Sequence, residues 1–220
     1  MEEYFKEAKR NLEKKIPDYD SPDFRKMRDE IRKNLKRKES DLLILVRRLK
    51  ILVLGDWHTS EKKTLLIGIK NTLLRNGLYA EMVDKYYDIG KKGGLSQIQI
   101  LEDCCINHQL IVFIDGEGKG TITEQNYLRD NYVFHGKILF FIEEPKFDKL
   151  KDNPSEYIKD FPAIITYRQK DLLEKVLTYS RFRLYRLADI IKKQVSTGAG
   201  LYSLSYKPWK VRLRRKGYKY

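Results

Sequence analysis

Cysteine is nearly absent from this 220-residue chain, and the two present, Cys104 and Cys105, are neighbours. Adjacent cysteines seldom bridge, so no disulfide framework is expected. The three histidines, His58, His108 and His135, are scattered and match no zinc-ligand spacing, so no metal site is expected either. No apolar run approaches the ~18 residues of a membrane-spanning helix. The opening Met1-Glu2-Glu3-Tyr4-Phe5 lacks the basic-then-apolar pattern of a secretion signal. These absences point to a cytoplasmic protein with reduced thiols and no membrane partner. Both familiar phosphate-binding signatures are missing as well. No G-x-x-x-x-G-K-[ST] occurs, and Gly116-x-Gly118-x-Gly120 does not have the dinucleotide spacing.

What is present suits a folded domain with a real core: 41% of the residues are hydrophobic and 35% charged. The length predicts one α/β domain with additions at its ends. The net charge of +14 is unevenly placed. Residues 1–50 hold 16 Lys and Arg against 11 Asp and Glu, and residues 201–220 hold seven basic residues and no acidic one. The stretch between them is close to neutral. Abundant Lys and Glu with few Gln resemble the surface of a thermophile's protein.

The periodicity predicts three regions: a helical extension over 1–48, an α/β domain over 49–195 and a basic aromatic tail over 196–220. In the extension, Tyr4, Phe5, Ala8, Leu12 and Ile16 fall at helical spacing up to Pro17. Ser21-Pro22 starts a second helix to about Lys38, and Leu42 to Val46 reads as either strand or helix continuation. This segment is expected to be a packed cap or a surface for homo-oligomer formation.

In the domain, strands are expected at 49–54, 79–83, 110–114, 137–142 and 163–167. Helices are expected at 61–75 and 96–108, after Thr121, and over 170–193. Residues 84–94, with Gly90, Gly93 and Gly94, read as a flexible polar loop. This alternation predicts a flavodoxin-like, five-stranded, mainly parallel sheet of order 2-1-3-4-5. Its switch point lies between strands one and three, so the loops after Leu54 and Ile114 should share one crevice.

The loop after Ile114, Asp115-Gly116-Glu117-Gly118-Lys119-Gly120-Thr121, is the strongest site candidate. Three alternating glycines free the backbone and let a ligand come close. Thr121 or Thr123 is placed to cap the next helix, whose first turns carry Glu124. Facing it, Gly55-Asp56-Trp57-His58 offers acceptors and a ring. The candidate ligand-binding residues are Gly55, Asp56, His58, Gly116, Gly118, Gly120 and Thr121.

Strand-Asp-Gly followed by Gly-Thr-x-x-Glu resembles the nucleoside 2-deoxyribosyltransferase-like group, whose architecture and glycosidic chemistry are shared with TIR-type NAD hydrolases. The matching residues are Asp115-Gly116 and Gly120-Thr121-x-x-Glu124, within about residues 50–145. The resemblance implies action on an N-glycosidic bond, with Glu124 as nucleophile and Asp115 as sugar ligand. It implies a nucleoside, a nucleotide or NAD as substrate and no further cofactor. The chain departs from the pattern in its short linker, in Asn126 where a small residue is expected, and in its first loop. The chemistry is sound on physical grounds, because cleavage builds positive charge on the sugar and a buried carboxylate stabilises or captures it.

The tail supports an alternative. Lys207, Trp209, Lys210, Arg212, Arg214, Arg215 and Lys216 combine phosphate-neutralising charge with a stacking ring, a pattern suited to nucleic acid. On that reading the protein is a non-enzymatic nucleic-acid-associated scaffold. Val211-Arg212-Leu213 also alternates like an edge strand, which would dock the tail on the body.

Overall fold

The computed structural model describes residues 21–151, 161 and 163–196. The helix expected over 1–16 and the basic tail fall outside them. The chain divides into two compact units, residues 1–43 and 44–220.

The described part of the first unit is helical and belongs to α1, Pro22–Arg48. Its start is the expected one, with the Phe24 N–H donating to Ser21 Oγ at 3.2 Å. The open alternative at Leu42–Val46 resolves as helix continuation. No residue from Pro22 to Arg48 breaks the helix, and Val46 becomes buried in the second unit.

The second unit is built on a five-stranded, all-parallel sheet of order β2-β1-β3-β4-β5. The strands are β1 (Lys50–Leu54), β2 (Tyr79–Met82), β3 (Leu110–Ile114), β4 (Ile138–Glu143) and β5 (Ile164–Tyr167). Helices α2 (Ser60–Arg75), α3 (Asp84–Lys92), α4 (Gln97–Asn107), α5 (Lys119–Asp130), α6 (Glu144–Lys151) and α7 (Leu172–Ser196) connect and cover them. This is the flavodoxin-like α/β architecture. Among the described residues no helix is long and apolar enough to cross a membrane.

The near-continuous apolar strands follow from burial on both faces. On one face Leu52, Leu54, Ile111, Phe113, Ile138 and Phe140 pack with Leu101, Cys104 and Cys105 of α4 and Leu128 of α5. Phe113, Phe140 and Phe161 stack in sequence, with centroids 5.4 and 4.7 Å apart. Each such ring contributes about 1.5–3 kcal/mol through removal from water. Both cysteines are free and buried.

Two expectations need correction. Residues 84–92 form α3 rather than a loop. The glycines and charges mask a helical pattern, and Gly90 is what lets α3 approach α4: a Cβ there would lie 2.5 Å from Ile100 Cγ1. The helix after β3 starts at Lys119, with Gly118 as its N-cap and no side-chain cap. Thr121 is instead buried in the first turn, and the Thr123 hydroxyl donates to the Lys119 carbonyl at 2.9 Å.

Candidate functional site

The β1–β3 register, ending at Leu54↔Phe113, delivers both carboxyl ends at one level. Gly55 makes the junction, with φ +155 and a hypothetical Cβ 3.0 Å from the Ile114 carbonyl oxygen. Only glycine takes this backbone and this approach without strain. The loops after β1 and β3 therefore do meet, as the topology requires.

Their meeting point is Asp56. Its Oδ1 accepts the His58 N–H at 2.9 Å. Its Oδ2 accepts the Glu117 N–H at 3.3 Å, the Gly118 N–H at 3.1 Å and Lys62 Nζ at 2.6 Å. Burial alone would raise its pKa, but the Lys62 ammonium and the backbone donors outweigh that and hold it at about 2. The glycines serve this carboxylate. A Cβ on Gly116 would lie 2.5 Å from Asp56 Cβ, and one on Gly118 would lie 2.7 Å from Asp56 Oδ1. The Gly-rich turn thus wraps a side chain of the protein itself. The close approach attributed to a ligand at Gly116 and Gly118 is made by Asp56.

Glu124 lies on α5, facing α3 and α4. It is 6% exposed. Its Oε1 accepts the Tyr87 hydroxyl at 2.8 Å, and its Oε2 is buried without a hydrogen-bond partner among the described residues. Burial pushes its pKa up to about 7, and the Tyr87 hydrogen bond offsets only part of that rise. The carboxyl forms part of the wall of a cavity of about 280 Å³. Trp57, Tyr87 and Leu101 form an apolar side, and Gln97, Thr123 and Gly120 bring polar groups and open backbone. The Trp57 and Tyr87 rings are 5.9 Å apart and inclined by 30°.

Gly55, Asp56, Gly116 and Gly118 thus meet in the Asp56 cluster, while Glu124 and Gly120 lie at the cavity. Asp115 is not among the residues lining it; its Oδ2 pairs with Lys146 Nζ at 2.5 Å. Its pKa is raised by burial despite the lysine. His58 is exposed and contributes only its backbone N–H to the Asp56 cluster. Thr121 is buried in the first turn of α5, outside the cavity lining. The candidates from Lys207 to Lys216 lie outside the described residues. Among the described residues no group of three His, Cys, Asp or Glu side chains is arranged to hold a metal.

Two cavity residues escaped the sequence reading. Tyr87 lies within 84–94, where the glycines suggest a loop, and Gln97 is the first residue of α4. The signal for Gln97 was the Ser96–Gln99 capping box, which fixes where α4 begins. For Tyr87 it was the tyrosine pair Tyr86-Tyr87, one helical turn before Gly90.

No family model and no curated protein matches this chain. Among solved structures, a diflavin flavoprotein A3 from Nostoc sp. is similar at 14% identity and a TM-score of 0.37, over 64% of this chain and 94% of that one.

Proposed function

We propose that this protein binds a nucleoside in the Glu124 cavity and cleaves its N-glycosidic bond, passing the sugar to water or to a second base. The observation that carries this reading is the Glu124 carboxyl: a cavity-wall acid with one oxygen unpartnered and no cation against it among the described residues. An anion in that position is poorly solvated. A sugar that turns cationic beside it relieves the penalty, and this selective gain in the transition state is what accelerates a reaction.

In the proposed sequence a Glu124 oxygen bonds to the anomeric carbon as the carbon–nitrogen bond breaks. The electron pair leaves with the base, which takes a proton from solvent. Water or an acceptor base then attacks the same carbon and gives up a proton to solvent, while the carbon–oxygen bond to Glu124 breaks and frees the carboxylate. Tyr87 anchors the carboxyl through Oε1. Trp57 supplies a face for the base, and Gln97 and Thr123 supply polar contacts. Asp115 and Asp56 are each held by a lysine and do not line this cavity.

The cavity volume favours a single nucleoside. At about 280 Å³ it sits just under the low end of the usual range for ligand pockets, roughly 300–1,000 Å³, so NAD would keep one half outside. Calorimetric titration with adenosine, thymidine, their 5′-monophosphates and NAD tests this. At least one nucleoside should bind, and Trp57→Ala should weaken it about tenfold, in line with the ~1–3 kcal/mol of a base–aromatic stack. Binding of NAD alone, or of none of these compounds, would refute the reading.

A further inference from the structure

A second cavity lies on the other flank of α4, between it and α3, with a volume of about 160 Å³. Tyr86, Leu95, Ile100 and Cys104 give it a largely apolar lining, and Asp103, Asn107 and His108 also border it. Its size matters, because an apolar cavity of about 150 Å³ is enough to hold a benzene ring.

Most polar groups around it are already committed. His108 is 1% exposed; its Nδ1 donates to the Cys104 carbonyl at 2.6 Å, and its Nε2 lies 3.2 Å from Glu81 Oε2. Glu81 also accepts from the Tyr79 hydroxyl at 2.7 Å, from Lys85 and from the Tyr86 hydroxyl. These donors outweigh burial and hold its pKa at about 2, so it stays an anion. The Tyr86 ring meets His108 edge-on, with centroids 6.1 Å apart. The Asn107 amide donates to the Asp103 backbone carbonyl at 2.9 Å.

The Asp103 carboxylate is different. It is half-buried at the cavity, and no hydrogen bond or ion pair engages it among the described residues. Burial raises its pKa, and no cation offsets that rise. An uncompensated anion beside an apolar hollow is complementary to one kind of ligand: a compact hydrocarbon body with a positive charge at one end.

We propose that this α3–α4 cavity is a binding site for a small organic ammonium compound. Its ring or hydrocarbon body rests on Leu95, Ile100 and Tyr86, and its ammonium pairs with Asp103. The site is separate from the Glu124 cavity, and the inference does not depend on the proposed function.

The test is a heteronuclear NMR titration of the full chain at neutral pH with benzylamine and with its uncharged counterpart, benzyl alcohol. Benzylamine should shift the amide signals of Leu95, Asn107 and His108 saturably. Benzyl alcohol should bind at least fivefold more weakly. Asp103→Asn should abolish that difference, and the remaining resonances should report an intact fold. Equal binding of the two probes, shifts only around Trp57 and Thr123, no saturable shift at all, or an amine preference unchanged in Asp103→Asn would each overturn the proposal.

Discussion

The Tyr87 hydroxyl donates to Oε1 of Glu124 at 2.8 Å, joining α3 to α5 across the wall of the cavity. This bond favours the ionised carboxyl, so it opposes the rise that burial imposes. Tyr87→Phe should therefore push the Glu124 pKa further above about 7. A hydrogen bond to a charged group contributes about 1.5–3 kcal/mol, which corresponds to a shift of about one pH unit or more. Carbon-13 NMR titration of the Glu side-chain carboxyls reads this directly. An unchanged pKa would mean that the bond is not formed in solution.

Stability should carry the same signature with a definite sign. The Glu124 pKa rises from an ordinary 4.5 to about 7 on folding, so between those values the folded state binds more protons than the unfolded one. Stability then falls as pH rises through that window and stays reduced above it. The whole effect amounts to roughly 3 kcal/mol at most. Glu124→Gln removes the titration. Its stability relative to the wild type should improve between pH 4.5 and pH 7, as urea denaturation at a series of pH values would show. A difference that does not vary with pH would contradict the buried, unpaired carboxyl.

The sheet was legible because its strands are apolar, β-branched runs separated by helical periods, as in Leu110–Ile114 and Ile138–Ile142. The meeting of the two loops followed from strand order alone. Glu124 stood out through its place after a Gly-rich turn. What the sequence hid was side-chain direction. Nothing in Asp115-Gly116-Glu117-Gly118 announces that the glycines accommodate Asp56, since that contact spans more than 60 residues. Nor does local spacing reveal that Lys146, on the helix after β4, pairs with Asp115. Helix α3 was obscured for a different reason. Its single glycine, two aspartates and two tyrosines lower local helical preference, while the close contact between Gly90 and Ile100 stabilises it from outside.

The three glycines of the turn should respond differently to alanine. Gly116→Ala and Gly118→Ala place a Cβ within 2.5 and 2.7 Å of Asp56 atoms, so each should cost about 1–3 kcal/mol through forced displacement. Gly120→Ala meets nothing within 4 Å and lies inside α5. It should be neutral, or stabilise the helix by about 0.5–1 kcal/mol. Thermal melts of the three variants would reveal the order. Equal losses at all three positions would refute the role given to Asp56.

Release of free base reports whether Glu124 acts on an N-glycosidic bond. The full chain and its Glu124→Gln variant are incubated with a panel of ribo- and 2′-deoxynucleosides, and the products are separated by liquid chromatography. The wild type should liberate base from at least one nucleoside. The variant should still bind that nucleoside while its turnover falls by about 100-fold or more, as expected when one group supplying transition-state charge stabilisation is removed. Base release unaffected by Glu124→Gln, or none from any nucleoside by the wild type, would contradict the account.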